Sequence, residues 1–246
     1  MIGFQASVRR IRQIMVAQLI VAALSVPILV HFWQWWYAVY LLGFYSFLLF
    51  VSHHAGLHRY FAHRSYTVNK FWHVFLCLSS CLVCFGSPAG YPIIHRAHHA
   101  YTDTENDPHS RKYLGFFNIM FFNWNLNNLS MWAAFRDLHD PWVKLTHDYY
   151  TLVIIVFAAI LFVIDPVLPL CYSIGTAGAW LAMGLVNTVC HSRGPTTYRN
   201  HDTKDDSSNS YLAVFVGEWH NNHHACLLYT SPSPRDYAAS RMPSSA

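Results

Sequence analysis

Charged residues are scarce in this chain: Asp, Glu, Lys and Arg together make up 11% of its 246 residues. A typical water-soluble domain contains about 25%, so the composition argues against that class of protein. No long acidic or basic run occurs and the net charge is only +4, which excludes an extended nucleic-acid-binding surface. Apolar residues account for 54% of the chain, which excludes a disordered protein. We therefore predict an integral membrane protein.

Four apolar runs indicate two transmembrane hairpins. A turn rich in Trp separates run 15–30 from run 37–51. The second pair, 149–164 and 167–189, is broken at Asp165-Pro166, because the residue before a proline leaves helical geometry. Aromatic side chains favour membrane interfaces, and they make up 17% of the chain. The sequence thus predicts an all-α integral membrane protein with four transmembrane helices.

Basic residues indicate how these hairpins are oriented. Arg9, Arg10 and Arg12 precede the first run, whereas neither hairpin turn contains Lys or Arg. Because basic residues concentrate on the cytoplasmic side, the N-terminus is predicted to lie in the cytoplasm. Both large polar segments then lie on the same side, where we expect them to form a helical cap.

A further apolar stretch, 71–94, is long enough to span a membrane, but it connects two histidine clusters that we expect to share one metal site. A single crossing would place the clusters on opposite sides of the bilayer. We therefore predict that this stretch lies along the interface or inside the cytoplasmic cap, broken by glycines and prolines. These are Gly86, Pro88, Gly90 and Pro92.

The composition changes abruptly after Ala225. Residues 226–246 are rich in Ser and Pro and resemble a translated sequencing adapter, so we interpret them as read-through outside the fold. The alternative is a genuine disordered Ser/Pro-rich tail. On the first interpretation the membrane domain comprises residues 1–225 and is truncated just after its last histidine cluster.

Histidine is abundant, with 17 residues, and eight of them form three short clusters. In the second and third clusters the i, i+3, i+4 spacing places three rings on one helix face, where they can bind one or two metal ions. The two histidines of the first cluster are spaced i, i+5, which places them about 140° apart around an α-helix. We therefore expect the second member of that pair to lie beyond a helix end and bend back towards the site. The clusters are His58 and His63; His95, His98 and His99; and His220, His223 and His224.

Metal binding is the simplest explanation of these clusters. A lone histidine is more often a core or surface residue than a ligand, but eight clustered rings would leave many polar nitrogens to satisfy. Neutral imidazole binds zinc, iron and copper. Eight ligands exceed the four of a structural zinc site, so the pattern favours two ions. Two irons suited to oxygen chemistry are the interpretation we prefer.

With their flanking residues, the clusters resemble the three histidine boxes of the membrane-bound fatty acid desaturases, in particular the acyl-CoA Δ9 (stearoyl-CoA type) branch. The matching segments are 58–66, 95–109 and 217–225, and the similarity extends over about residues 30–225. The chain departs from the family in two respects: the family continues well past the third histidine box, and the spacing before that box differs. Trp219 alone separates Glu218 from His220, where the family usually has two residues.

The resemblance implies a set of site residues. It adds Asn187 and His191 of the last transmembrane helix, whose i, i+4 spacing places both on one helix face. Asn187 is implied to reach a metal through water. The implied histidine ligands are His58, His63, His95, His98, His99, His191, His220, His223 and His224.

Other residues are candidates for supporting roles. Asp107 and Glu218 are expected to orient metal-binding rings, with Asp103 and Glu105 as weaker candidates for the same role. A solvated turn is the alternative for the aspartates and Glu105. The resemblance suggests that Tyr91 lines the bend of an acyl tunnel, and ordinary packing is the alternative there.

The resemblance also implies a function. It predicts an oxidoreductase that uses O2 and two Fe2+ ions to insert a cis double bond, at Δ9, into a saturated acyl chain. The implied substrate is a fatty acyl thioester, first of all acyl-CoA, and the implied electron donor is cytochrome b5 or ferredoxin with a reductase. The implied location is the bacterial inner membrane or the endoplasmic reticulum. Arg59, Arg64 and Arg96 would then meet an anionic carrier or pair with nearby acids.

Two other functions fit histidine clusters of this kind. A membrane hydroxylase of the alkane or sterol type uses similar ligands but makes an alcohol instead of an alkene. A non-enzymatic metal-binding or transport protein would carry ionisable residues inside its spans to form an ion path. The predicted spans contain essentially none, since the clusters fall at or beyond the span ends.

Overall fold

The computed structural model describes residues 2–127, 129, 136–192, 194–198, 205–211 and 219–225. Within this part of the chain all regular secondary structure is helical and no strand occurs, which confirms the all-α prediction. Residues 226–246, predicted to be read-through, lie outside it. The helices in chain order are α1 (Ile2–His31), α2 (Tyr37–Ser46), a π-helix here called π1 (Phe47–Ala62), α3 (Lys70–Leu82), α4 (Gly90–Tyr101), α5 (Arg111–Met120), α6 (Pro141–Asp148), α7 (Tyr150–Ile164), α8 (Leu168–Val189) and α9 (His220–Ala225).

Three segments are long and apolar enough to cross a membrane, which supports a multi-pass protein. They are Arg10–His31 within α1, Tyr37–Ala62 formed by α2 and π1, and α8. α6 and α7 meet at an angle of 76° and count as a fourth span only if this bent pair is taken together. The predicted fourth crossing is therefore less regular than the other three. α1 and α2 both pack against α8.

The apolar stretch 71–94 does not form one long helix. α3 ends at Leu82 and α4 begins at Gly90, so the stretch is broken where its glycines and prolines predicted. Side chains from the spans hold the break in place. The hydroxyl of Tyr172 donates to the carbonyl of Leu82 at 2.6 Å, and the indole N–H of Trp180 donates to that of Val83 at 2.7 Å. These bonds satisfy carbonyls at the end of α3.

Close packing joins α3 to π1. At Gly56 a Cβ atom would overlap the Ser80 hydroxyl oxygen, so only the absence of a side chain lets the two helices approach. The Ser80 hydroxyl donates to the carbonyl of Ser52 at 3.3 Å, across the same contact. Ser52 and Ser80 are fully buried. This contact fixes π1 against the segment that leads into the second histidine cluster.

Candidate metal centre

The histidine clusters meet where two membrane segments end. His58 lies in the last turns of π1, and His191 follows the end of α8 by two residues. α4 carries the second cluster and α9 the third. Both apolar segments therefore bring a histidine to the same end of the bundle, and the two shorter helices complete the site.

The pair in the first cluster is brought together by π-helical geometry. The N–H of His63 donates to the carbonyl of His58 at 3.0 Å, an i→i+5 bond. Such a bond places residue i+5 above residue i, whereas an α-helix turns them about 140° apart. His63 lies just after the helix end, as predicted, but no bend of the chain is needed to return it. The Nε2 atoms of the two rings are 3.2 Å apart.

Five imidazoles form a first group, here called group A. Its members are His58, His63, His95, His99 and His223. Their Nε2 atoms form a closed ring in which each atom has two neighbours. In the order His58, His63, His95, His99, His223 and back to His58, the successive distances are 3.2, 2.8, 3.1, 3.0 and 3.1 Å.

Hydrogen bonds between the rings cannot explain these five contacts. One Nε2 atom is either a donor or an acceptor, and a protonated imidazole is a donor at both nitrogens. Donors and acceptors cannot alternate around a ring with an odd number of members. At least one contact must therefore join two atoms of the same kind. A cation instead satisfies five lone pairs at once, and two nitrogens each about 2.1 Å from one ion at right angles lie about 3.0 Å apart.

Four further imidazoles form a second group, here called group B: His98, His191, His220 and His224. The Nε2 atoms of His191 and His220 are 2.8 Å apart. Nε2 of His98 is buried without a hydrogen-bond partner in the described structure. A buried nitrogen of this kind is costly unless a metal ion or water binds it. The chemistry of both groups therefore fits metal binding.

The i, i+3, i+4 spacing divides each cluster between the two groups. His95 and His99, four residues apart on α4, belong to group A, while His98 belongs to group B. On α9 the i, i+4 pair His220 and His224 belongs to group B, and the intervening His223 to group A. α4 thus contributes two histidines to group A and one to group B, whereas α9 contributes one to group A and two to group B.

Three aspartates contact group B from behind the rings. Both oxygens of Asp107 lie 3.0 Å from Nδ1 of His98. One oxygen of Asp103 lies 2.9 Å from Nδ1 of His191, and one of Asp205 lies 3.2 Å from Nδ1 of His224. Such partners keep the proton on Nδ1 and turn Nε2 towards the shared centre. Glu218, predicted to play a similar part, lies outside the described residues.

Burial favours the neutral form of three of these rings. It lowers the pKa of His95, His98 and His99 well below the usual value, and the neighbouring imidazoles lower it further. Neutral imidazole is the form that binds a metal. His191 differs. Burial favours a lower pKa there too, but the hydrogen bond and negative charge of Asp103 outweigh it, and the pKa of His191 is raised.

A small cavity lies against both groups. Its walls include His58, His95, Tyr91, Asn187 and His220, and its volume of about 20 Å³ has room for about one water molecule. The ring of Tyr91 stacks on that of His95 with centroids 5.4 Å apart. Asn187 thus lines the same cavity as three of the histidines, and the resemblance had placed it near the metal site. Phe85, Ile94, Trp124 and Met183 make the apolar part of the wall.

Comparison with known proteins identifies the family. The family model described as fatty acid desaturase matches residues 31–227. The chain belongs to the fatty acid desaturase family. It is 31% identical to Delta-9 acyl-lipid desaturase 2 of Arabidopsis thaliana, over 82% of this chain and 68% of that protein. It is 30% identical to the sn-1 stearoyl-lipid 9-desaturase of Anabaena variabilis, over 69% of this chain and 64% of that protein.

The relatives in this desaturase family differ in their acyl carriers. Acyl-CoA 5-desaturase AL21 of Anemone leveillei is 31% identical, over 68% of this chain and 54% of that protein. The chain therefore spans between 54% and 68% of the length of these three relatives. Several relatives carry Delta-9 in their names, which supports the Δ9 branch.

One histidine beside this site was not singled out by its sequence pattern. His109 is buried and its ring lies 4.1 Å from that of His98, centroid to centroid. His53 lies five residues before His58 in the π-helix, and their rings stack at 6.0 Å. Its position one turn before His58 made it a candidate for a supporting role, with a polar helix end as the alternative.

Arg96 has a structural role between two clusters. Its Nε and Nη2 atoms donate to the carbonyls of Ala62 and Phe61 at 2.9 and 2.6 Å, at the end of π1. Its Nη1 atom pairs with Asp137 at 2.7 Å, and Arg64 pairs with the same aspartate at 2.6 Å. For Arg64 and Arg96 the structure thus favours pairing with an acid over contact with an anionic carrier.

Proposed function

We propose that this chain is an O2-dependent fatty acyl desaturase whose nine histidines hold two iron ions, with Asn187 acting through a water molecule. The observation that carries the proposal is the closed ring of five Nε2 atoms in group A, which a cation satisfies and hydrogen bonds cannot. The four-membered group B provides the second position. The names of the relatives, all of them desaturases, favour this reaction over hydroxylation.

The chain itself positions the substrate, sets the protonation state of the histidines and excludes water. When bound, the iron ions would supply the O2-dependent oxidising power that removes hydrogen from unactivated methylenes. Asp107 holds the proton of His98 on Nδ1 and leaves the Nε2 lone pair for the metal. Phe85, Ile94 and Met183 belong to the apolar part of the wall of the adjacent cavity. Exclusion of water from such a site limits side reactions.

The acyl chain would enter beside Tyr91. The cavity of about 20 Å³ is too small for it, so side chains must move when substrate binds. Met183 is suited to this because its side chain is flexible. A chain held in one bent path would present one pair of carbons to the metals, which is the basis for Δ9 selectivity.

Acyl-CoA is the substrate we propose, and a surface opening beside group B supports it. The opening is lined by Arg111, Lys112, Phe116, His191 and Asp206. Its two basic side chains suit the phosphates of an anionic carrier. Acyl-lipids are the alternative, since three of the relatives are named for them. Electrons would come from cytochrome b5 or from ferredoxin with a reductase.

We further propose that the N-terminus and the metal centre face the cytoplasm, in the bacterial inner membrane or the endoplasmic reticulum. Arg10 and Arg12 at the start of the first apolar segment favour this orientation. The metal centre lies at the ends of π1 and α8. Soluble electron donors could reach it there.

The experiment is fatty-acid profiling of desaturase-deficient cells that express the chain, with a His98→Ala variant as the control. We expect new Δ9 monounsaturated fatty acids, lost in the variant. Since the chain spans only part of its relatives, a second version carries the C-terminal portion of Delta-9 acyl-lipid desaturase 2 after Ala225. Hydroxylated products instead of alkenes would show that the reaction is wrong. Supplying labelled stearoyl-CoA or stearoyl-lipid to membranes then distinguishes the two carriers.

A further inference from the structure

Negative charge is concentrated around group B. Asp103, Asp107 and Asp205 each lie within 3.2 Å of an Nδ1 atom of a different group B ring. Asp103 and Asp107 are buried, with exposed fractions of 2% and 1%. A buried charge is costly unless it is paired, so their presence needs a compensating partner. Neutral imidazoles provide only part of that compensation, whereas a metal ion bound by the same rings provides a full positive charge.

Hydrogen bonds of Asp103 connect three separate segments of the chain. The oxygen that accepts from Nδ1 of His191 at 2.9 Å also accepts from the backbone N–H of Asp206 at 2.9 Å. The backbone N–H of Asp103 in turn donates to Asp107 at 2.9 Å. Asp103 thus joins the turn after α4, the end of α8 and the segment that contains Asp205.

The backbone at Asp103 is adapted to this role. Its φ angle of 57° lies in the left-handed region, which is unfavourable for most residues but is tolerated best by Asn and Asp. The conformation turns the chain immediately after α4 and directs the carboxylate back towards the end of α8. A strained position held by buried hydrogen bonds is typical of functional sites.

We propose that Asp103 is the positioning residue of group B: it orients the ring of His191, and its charge stabilises the more oxidised state of the ion bound there. This inference rests on the proposed function only in that group B binds a redox-active metal. The orientation follows from the hydrogen bond to Nδ1, which directs Nε2 towards His220. The effect on oxidation state follows because a nearby negative charge favours the ion with the larger positive charge.

Two substitutions separate the two effects. In Asp103→Asn one amide oxygen can accept both hydrogen bonds that one carboxylate oxygen accepts now, so the charge is lost while the geometry is kept. Asp103→Ala removes the charge and the two hydrogen bonds together. Asp140→Asn is the matched control, because one oxygen of Asp140 likewise accepts from an imidazole, that of His73 at 3.1 Å, and from the backbone N–H of Trp142 at 2.9 Å. That pair lies outside both histidine groups.

The measurements are iron retention by the purified protein against increasing chelator and the reduction potential of the bound iron. For Asp103→Ala we expect one of two iron ions to bind roughly 10- to 100-fold more weakly. For Asp103→Asn we expect both ions to be retained and the reduction potential to rise. Asp140→Asn should match the unmodified protein in both measurements.

The inference is overturned if Asp103→Asn leaves the potential unchanged, or if Asp103→Ala retains both ions as tightly as Asp140→Asn does. Product analysis of the same samples keeps this failure separate from that of the proposed function. Two bound irons with no alkene product would contradict the proposed function while the effects of Asp103 still stand. Alkene formation with unchanged metal properties would contradict only the inference.

Discussion

The two asparagines of the third cluster differ sharply in what they contact. The side chain of Asn221 accepts from the backbone N–H groups of Thr197 and Tyr198, each at 2.8 Å, and donates to the carbonyls of Tyr198 and Ser207. Asn222 accepts one bond, from the side chain of Asn209 at 3.0 Å. Asn221 therefore ties two loop segments to α9, and the histidines on that helix depend on it.

Replacing Asn221 by Ala should destabilise the protein far more than replacing its neighbour. Asn221→Ala removes four hydrogen bonds to the backbone, one of them to the carbonyl of the buried Ser207, which we expect to cost about 3 kcal/mol. Asn222→Ala should cost about 1 kcal/mol or less. Thermal unfolding in detergent compares the two. Equal melting temperatures would contradict the role assigned to Asn221.

At this scale the sequence predicted residue identities better than their arrangement. Nine histidines could be named from spacing and resemblance, and the structure brings all nine into two groups, although metal binding by them remains a prediction. The division between groups depends on where four separate segments meet. The roles of Asp205 and Asn221 depend on loop contacts, and such contacts leave no periodic pattern in the sequence.

Among the helices, π1 departs most from what the sequence predicted. The helix that begins at Tyr37 was expected to extend past Val51 and carry His58, and α2 and π1 together do continue to Ala62, but the π geometry was not predicted. The polar end of π1 carries buried histidines, so its composition does not resemble that of a membrane span. Hydrogen bonds between residues five apart then set the orientation of the first cluster. No pattern of apolar residues distinguishes this geometry from an α-helix.

The close contact between π1 and α3 can be tested at Gly56. In Gly56→Ala the new methyl group meets the Ser80 hydroxyl oxygen, and we expect a loss of about 1 to 3 kcal/mol. Ser80→Ala removes that oxygen. The double variant should therefore be more stable than Gly56→Ala alone, as measured by thermal unfolding in detergent. Additive losses in the double variant would mean that the two residues do not oppose each other.

The whole molecule is a membrane protein with its polar chemistry at one end. The sequence predicted helical spans, their hairpin turns and the break within 71–94, because lipid imposes long apolar segments that are easily recognised. The regularity of the fourth span was overestimated, since α6 and α7 are bent by 76°. A helix that packs against other helices does not need the length of an isolated transmembrane helix.

The orientation can be tested by labelling introduced cysteines from one side of the membrane. Gln34 lies in the first hairpin turn, and Glu105 is exposed beside the metal centre. The native cysteines of the described residues are buried, so a Cys226→Ser background should react little. We expect an impermeant thiol reagent, added on the side of the membrane opposite the cytoplasm, to label Gln34→Cys and not Glu105→Cys. Labelling of both, or of Glu105→Cys alone, would contradict the proposed topology.

The most direct test of the account is the number of iron ions bound by the purified protein. We predict two iron ions per chain in the unmodified protein. We predict one per chain in His63→Ala, which affects group A, and one per chain in His220→Ala, which affects group B. His31→Ala, in a residue near the first hairpin turn, should retain two. Two ions in all of these variants, or none in the unmodified protein after iron loading, would contradict the claim that the two histidine groups form a two-metal centre.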